Sequence, residues 1–220
     1  MAFLLKVRLL WKSLEVIMSS RKLIIIGAGG HGKVVYDVAE NTKKYDEIYF
    51  LDDNLKPCQF YKSKIIDTTE YISKYIKEYD FIVAIGNNKI RNEKQVLLNQ
   101  LNAKVVTLID KTAIISDSAI IGEGTVVMPK VIVNADVSVG NGVILNSGCI
   151  VEHDSNLGNF CHISPNATIC GTVSIGSRTW IGASATIINN ISVCSDVIVG
   201  AGSIVLNNIN SIGTWVGVIK

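Results

Sequence analysis

Two hydrophobic rhythms divide this chain. Over residues 21–110 short apolar runs alternate with stretches of helical period. Lys22 to Ile26 reads as a strand, Gly27-Ala28-Gly29-Gly30-His31-Gly32 as a glycine turn, and Lys33 to Glu40 as a helix. Ile48 to Leu51 predicts a second strand closed by Asp52-Asp53-Asn54. Thr69 to Tyr79 predicts a helix, and Phe81 to Ile85 a third strand stopped by Gly86-Asn87-Asn88. A helix from Lys89 to Leu101 and a strand from Val105 to Ile109 complete an alternating β/α unit, whose sheet should be parallel.

Over residues 111–220 the period changes to six. Every sixth position from Ile115 to Val205 is aliphatic, sixteen residues without an exception. Four residues after many of these stands a small or β-branched one, such as Thr125, Ser155 or Thr179, and glycine follows the aliphatic at 122, 140, 158, 176, 182 and 200. Three hexads make a triangular coil, so each aliphatic points into a prism and stacks on its equivalent about 4.8 Å away along the axis. A sandwich would need turn signals at roughly 8–12-residue intervals and would lose phase at each loop; here the phase holds throughout. The period specifies a hexapeptide-repeat β-helix and leaves its handedness open.

Residues 1–20 form a third unit. Phe3, Val7, Leu10, Leu14 and Ile17 recur at helical spacing with Arg8, Lys12 and Glu15 opposite, the pattern of an amphipathic extension. A signal peptide needs an uninterrupted apolar core, and a span needs about 20 apolar residues without Lys6, Arg8 and Lys12 among them. Two readings stand. Met18 is the natural start and the preceding residues are a translational or cloning extension, or the segment attaches weakly to an inner membrane surface.

Charge and cysteine content narrow the partners. Lys plus Arg number 21 against 19 Asp plus Glu, with no basic stripe that would neutralise a phosphate backbone, so nucleic acid is not an expected partner. The five cysteines are dispersed without zinc-like or disulfide-scaffold spacing and read as reduced packing residues of a cytoplasmic protein.

Gly27, Gly29 and Gly32 satisfy G-x-G-x-x-G after a strand and before a helix, with Asp52 and Asp53 at the end of the next strand. A full dinucleotide site uses two βαβαβ halves, and only one fits before residue 110, so this half-Rossmann unit should hold a single nucleotide. Its phosphates would rest on the amides of Gly29, Gly30, His31 and Gly32, aided by His31 and Lys33. Asp52 or Asp53 would read the base or ribose unless the pair is a plain polar turn, and Gly86 and Asn87 would line the same crevice.

The segments Ile24-Ile25-Ile26-Gly27-Ala28-Gly29-Gly30-His31-Gly32-Lys33-Val34-Val35, Leu51-Asp52-Asp53, Ala84-Ile85-Gly86-Asn87-Asn88 and Val151-Glu152-His153-Asp154 together resemble the sialic acid O-acetyltransferase and bacillosamine N-acetyltransferase family of sugar acetyltransferases. The resemblance covers residues 22 to about 217. It implies a left-handed β-helix, acetyl-CoA as co-substrate, a UDP-sugar or another nucleotide sugar in the N-terminal domain, with a UDP-amino sugar favoured, and homotrimers with sites between subunits. His153 would be the general base with Asp154 fixing its tautomer, where the family commonly has glutamate. His162 would contact the thioester end of acetyl-CoA, and Gly171 would offer its amide to the carbonyl oxygen unless it is a plain turn glycine. Gly182 and Gly200 would flank the pantetheine groove. The family's usual valine-glycine-x-proline-alanine-lysine segment is replaced by Trp215-Val216-Gly217-Val218-Ile219-Lys220.

The function expected from these residues is N-acetylation of the 4-amino group of a UDP-linked amino-deoxy sugar. Transfer to a sugar hydroxyl is the alternative. A metal-dependent hydratase on the same β-helix needs three converging histidines, and this region has two, so no metal is expected. A non-catalytic nucleotide-sugar binder is the remaining reading.

Overall fold

The computed structural model describes residues 21–220. The amphipathic extension and its membrane reading therefore lie outside the described residues. Among the described residues no helix is long and apolar enough to cross a membrane.

The N-terminal unit is a six-stranded sheet with β1 (Lys22–Ile26), β2 (Glu47–Leu51), β3 (Cys58–Phe60), β4 (Ser63–Asp67), β5 (Tyr79–Val83) and β6 (Lys104–Val105) in the order β3-β4-β2-β1-β5-β6. All pairings are parallel except the β3–β4 hairpin. Sequence pattern missed that hairpin because an edge ribbon buries little: of its eight strand residues only Ile65 is fully covered. Helix α1 (Gly30–Thr42) follows β1, starting three residues before the helical periodicity, and α2 (Asn88–Gln100) follows β5. The helix expected over Thr69 to Tyr79 is a 3-10 segment, Thr69–Lys74, because Tyr79 and Asp80 are claimed by β5 as partners of Lys22 and Leu23. The strand expected over Val105 to Ile109 is two: β6 closes this sheet, whereas Leu108–Ile109 pairs with Val126–Val127 and starts the β-helix.

From Leu108 onward the chain winds as a parallel β-helix of three faces. The first carries Leu108–Ile109, Val126–Val127, Ile144–Leu145, His162–Ile163 and Trp180–Ile181, each pair eighteen residues above the last. The second runs through Ile114–Ile115, Ile132–Val133 and Ile150–Val151, the third through Ile120–Ile121, Ser138–Val139 and Asn156–Leu157. The hexad aliphatics fill the prism and are buried from Val127 to Val205, while Ile115 and Ile121 at the end are only partly covered. Thr125, Ser155 and Thr179 are buried too, and each hydroxyl bonds a carbonyl fifteen residues ahead, tying coil to coil. Every sixth residue from Gly124 to Gly202 turns the corner with φ between 55° and 72°. Glycine holds four of these positions; Asp, Asn, Ser, Thr, Lys, Arg and Phe hold the rest, which is why the corners leave so faint a mark in the sequence.

The two units meet on the first face. Its outward side chains Leu108, Val126 and Ile144 share one core with Val35, Val38 and Ala39 of α1. Beside this apolar contact α2 lays a polar stripe, Asn88, Arg91 and Gln95, along the corner between the third and first faces. Asn88 Nδ2 donates to the carbonyl of Arg178 (2.8 Å), Arg91 to those of Phe160 (2.7 Å) and Gly142 (2.7 Å), and Gln95 Nε2 to that of Glu123 (3.2 Å). One helical turn rises about 5.4 Å and one coil about 4.8 Å, so residues a turn apart reach carbonyls a coil apart.

Removing an interior rung should be costly. Leu145→Ala, at a fully buried position, should lower unfolding free energy by about 2–5 kcal/mol in urea titrations. Ile120→Ala, at a position 68% exposed, should change it by under about 0.5 kcal/mol.

Candidate active site

The carboxyl ends of β1, β2 and β5 open into a cleft of about 360 Å³ lined by Gly29, Gly30, His31, Asp52, Asp53 and Gly86, with Thr69, Ile85 and Lys94 completing it. The motif glycines divide their work. Gly27 (φ 108°) lies where a Cβ would come 2.8 Å from the carbonyl of Ala84, and a Cβ on Gly32 would strike the carbonyl of Gly27, so both serve packing. Gly29, Gly30 and Gly86 have no protein atom within 4 Å of where a Cβ would stand. Their bare backbone faces the cleft, and Gly29 caps α1, so the helix N-terminus offers its amides to an anion there.

Several expected contacts fall elsewhere. Lys33 does not line the cleft; its Nζ lies 5.5 Å from the ring centroid of Phe60. Asn87 caps α2, its Oδ1 accepting from the amides of Lys89 and Ile90. Asp52 braces the glycine loop, accepting from the amides of Ala28 (2.7 Å), Asn54 and Leu55. Asp53 accepts from Thr69 and from Lys94 Nζ (2.6 Å); partial burial works to raise its pKa, and these hydrogen bonds outweigh it, leaving the carboxyl below its ordinary value. Lys94, not Lys33, is the cation of the cleft.

The three histidines occupy contrasting surroundings. His153 stands on the corner between the second and third faces, opposite the first face on which the N-terminal unit sits. It is exposed, and its Nδ1 lies 2.7 Å from Asp154 Oδ2. That hydrogen bond, with the charges of Asp154 and Glu152, raises its pKa and leaves Nε2 free as a proton acceptor. Gly171 lies one coil above: a Cβ there would come 2.7 Å from His153 Nε2, so the glycine makes room for the imidazole.

His162 and His31 are held neutral. His162 stacks on Trp180, with ring centroids 5.6 Å apart and planes 2° from parallel, and pairs with Asn146 Nδ2 (3.1 Å). Burial, with the charges of Arg91 and His31, pushes its pKa down to about 3. His31 lines the cleft, and burial beside Arg91 lowers it to about 4, so the ring is neutral at pH 7. Gly182 and Gly200 stack on the corner between the first and second faces. A Cβ on Gly182 would lie 2.5 Å from the amide nitrogen of Ala201, and one on Gly200 2.8 Å from Val216. Among the described residues no group of three His, Cys, Asp or Glu could hold a metal ion.

Sequence reasoning missed Lys94, Thr69 and Arg91. The only available signal was that Arg91 and Gln95 lie four apart on α2, one turn, yet a polar pair at that spacing ordinarily faces water.

Comparison with known proteins gives a consistent picture. Residues 22–101 match the PglD N-terminal domain. Over 112 residues the chain is 35% identical to the UDP-N-acetylbacillosamine N-acetyltransferase of Bacillus subtilis, spanning 49% of this chain and 51%, about half, of that relative. It superposes on the acetyltransferase domain of PglB from Neisseria gonorrhoeae with a TM-score of 0.87 and 40% identity, covering 90% of this chain and 97% of that one. That domain is also solved in complex with acetyl coenzyme A. PerB from Caulobacter crescentus, solved with CoA and GDP-perosamine, is similar at a TM-score of 0.82 and 29% identity, over 89% of this chain and 94% of that one.

The neutral histidines make stability pH-dependent. Folded, His31 and His162 stay unprotonated down to about 4 and about 3, whereas in the unfolded chain both titrate near 6.5. Between these values the unfolded chain binds more protons, so stability is full above pH ~6.5 and falls as the pH approaches ~4. Near pH ~5 His153 is protonated in both states and drops out. Urea titrations there should show proton uptake on unfolding approaching two, and His162→Gln should halve it; a flat profile would contradict the assignment.

Proposed function

This chain belongs to the PglD family of hexapeptide-repeat sugar acetyltransferases, and on that premise we propose that it carries the acetyl group of acetyl-CoA to the 4-amino group of a UDP-linked amino-deoxy sugar of the bacillosamine type. The observation that carries the reading is the His153–Asp154 pair, the only histidine of the three whose basicity is raised, on an exposed corner with Nε2 unencumbered.

Acetyl-CoA supplies an activated thioester carbonyl. His153 Nε2 takes the proton from the attacking amine as the C–N bond forms, and Asp154 holds Nδ1–H and stabilises the imidazolium; collapse of the tetrahedral intermediate then breaks the C–S bond, and the imidazolium returns the proton to the departing CoA thiolate. The amide of Gly171, one coil above, is suited to receive the developing oxyanion. His162, neutral and fixed by Trp180 and Asn146, suits a contact to the acyl donor and not proton transfer. The nucleotide diphosphate rests on the N-terminus of α1, near Lys94, with Asp53 close to the ribose.

The active unit is read as a homotrimer. The outward ladder of the second face is mostly apolar, with Ile114, Ile204 and Val218 exposed, Ile132 and Ile150 partly so, and Thr168 and Thr186 between them, a surface fit for a second copy of the chain. The cleft of one copy lies on the side of its β-helix away from its own His153, so a neighbour's imidazole is the one suited to serve it.

Turnover by His153→Ala should fall by about 10²–10⁴ with nucleotide binding retained. In Asp154→Asn the acid limb of the kcat/KM profile should move to lower pH, because the group that raises the imidazole pKa is gone. CoA release should be tested against nucleotide 4-amino sugars and hydroxyl acceptors side by side; turnover of the hydroxyl substrates alone would refute N-acylation. Light scattering should give a trimer that Ile132→Glu dissociates with loss of turnover, and a fully active monomer would refute the shared site.

A further inference from the structure

Arg91 is the least expected residue in the fold. It is 1% exposed and, among the described residues, makes no ion pair. Its guanidinium is instead surrounded by neutral oxygens. Nε donates to the carbonyl of Gly142 (2.7 Å), Nη1 to those of Ile85 (2.9 Å) and Gly86 (3.1 Å), and Nη2 to Phe160 (2.7 Å), Cys161 (3.1 Å) and Asn88 Oδ1 (2.8 Å). Burial lowers its pKa to about 10, which still leaves it charged at neutral pH.

A buried cation is costly unless every donor is satisfied, and an apolar side chain of similar volume would join two domains with less penalty. The partners show what the cation adds. Ile85 and Gly86 form a wall of the nucleotide cleft; Phe160 and Cys161 lead directly into His162. Asn88 and Gln95, its neighbours in the docking stripe, bond the β-helix at Arg178 and Glu123, and neither side chain donates a hydrogen bond to that wall. Only the planar fork of an arginine reaches both sets of carbonyls at once; a lysine offers three donors from a single point.

We propose that Arg91 is a positioning residue that ties the Ile85–Gly86 wall of the cleft to the coil bearing His162, and so sets nucleotide affinity and the placement of the bound sugar relative to the acyl donor. The proposal rests on the reading of the cleft as a nucleotide-sugar site. Loss of the fork frees the wall to drift while α2 stays docked through Asn88 and Gln95.

The test is calorimetric titration of the full chain with UDP, GDP and dTDP, keeping the tightest as probe, alongside melting temperatures. Arg91→Lys should weaken nucleotide binding about tenfold or more. It should raise KM for the nucleotide sugar in parallel and leave KM for acetyl-CoA within about twofold. Gln95→Ala should lower the melting temperature comparably yet hold nucleotide affinity within about twofold. Equal losses of affinity in the two variants, or wild-type affinity in Arg91→Lys, would overturn the proposal. If Arg91→Lys does not fold, hydrogen exchange on the wild-type protein decides: nucleotide-dependent protection crossing to residues 159–163 supports the tie, and protection confined to the N-terminal unit overturns it. A wild-type chain that binds none of the three nucleotides defeats the nucleotide reading itself, and the proposal with it.

Discussion

The near-coincidence of two repeat lengths, the turn of an α-helix and the spacing of stacked coils, governs how this molecule is assembled. The lengths differ by about 0.6 Å per step, so a helix lying along a β-helix stays in register for only some three turns before lagging by about 2 Å. The docking stripe stays within that limit: Asn88, Arg91 and Gln95 span about two turns, with the forked residue in the middle spanning two coils. The apolar contact of α1 on Leu108, Val126 and Ile144 supplies area but, being non-directional, leaves the helix free to slide by fractions of a coil. Directional bonds to carbonyls remove that freedom. The height of the cleft along the prism follows from them.

Burial sorts the histidines by basicity. His153 can hold a proton because its carboxylate partner shares an exposed corner. His31 and His162 are enclosed near the Arg91 cation, where a second positive charge is disfavoured on two counts. One arginine therefore braces the junction and adds to the burial that keeps both neighbouring imidazoles uncharged.

The sequence made the β-helix legible because its code is local and redundant: sixteen aliphatics at one spacing announce the prism, and no single residue decides it. The glycine turn and the His153–Asp154 pair were readable for a related reason, each being a contiguous segment whose backbone or side-chain chemistry is unusual. What escaped was encoded between segments. The β3–β4 ribbon buries too little to leave a pattern. The supposed helix at Thr69 was cut short by a strand whose partner lies over fifty residues earlier. Asp52 and Asp53 were recognisable as cleft residues, yet their engagement with Ala28, Thr69 and Lys94 depends on loops that only folding brings together. Arg91 looked like one more polar residue on a helix, because its acceptors are backbone atoms, which any sequence supplies.

Asp154 occupies one of the corner positions, with φ 58°. For a residue other than glycine that conformation is strained by roughly 1 kcal/mol. The carboxylate that tunes the imidazole is thus borne by a backbone that would relax if it were glycine, as four other corners are. Asp154→Gly would relax the corner and remove the carboxylate that raises the imidazole pKa, so backbone ease and imidazole basicity pull in opposite directions at this one position.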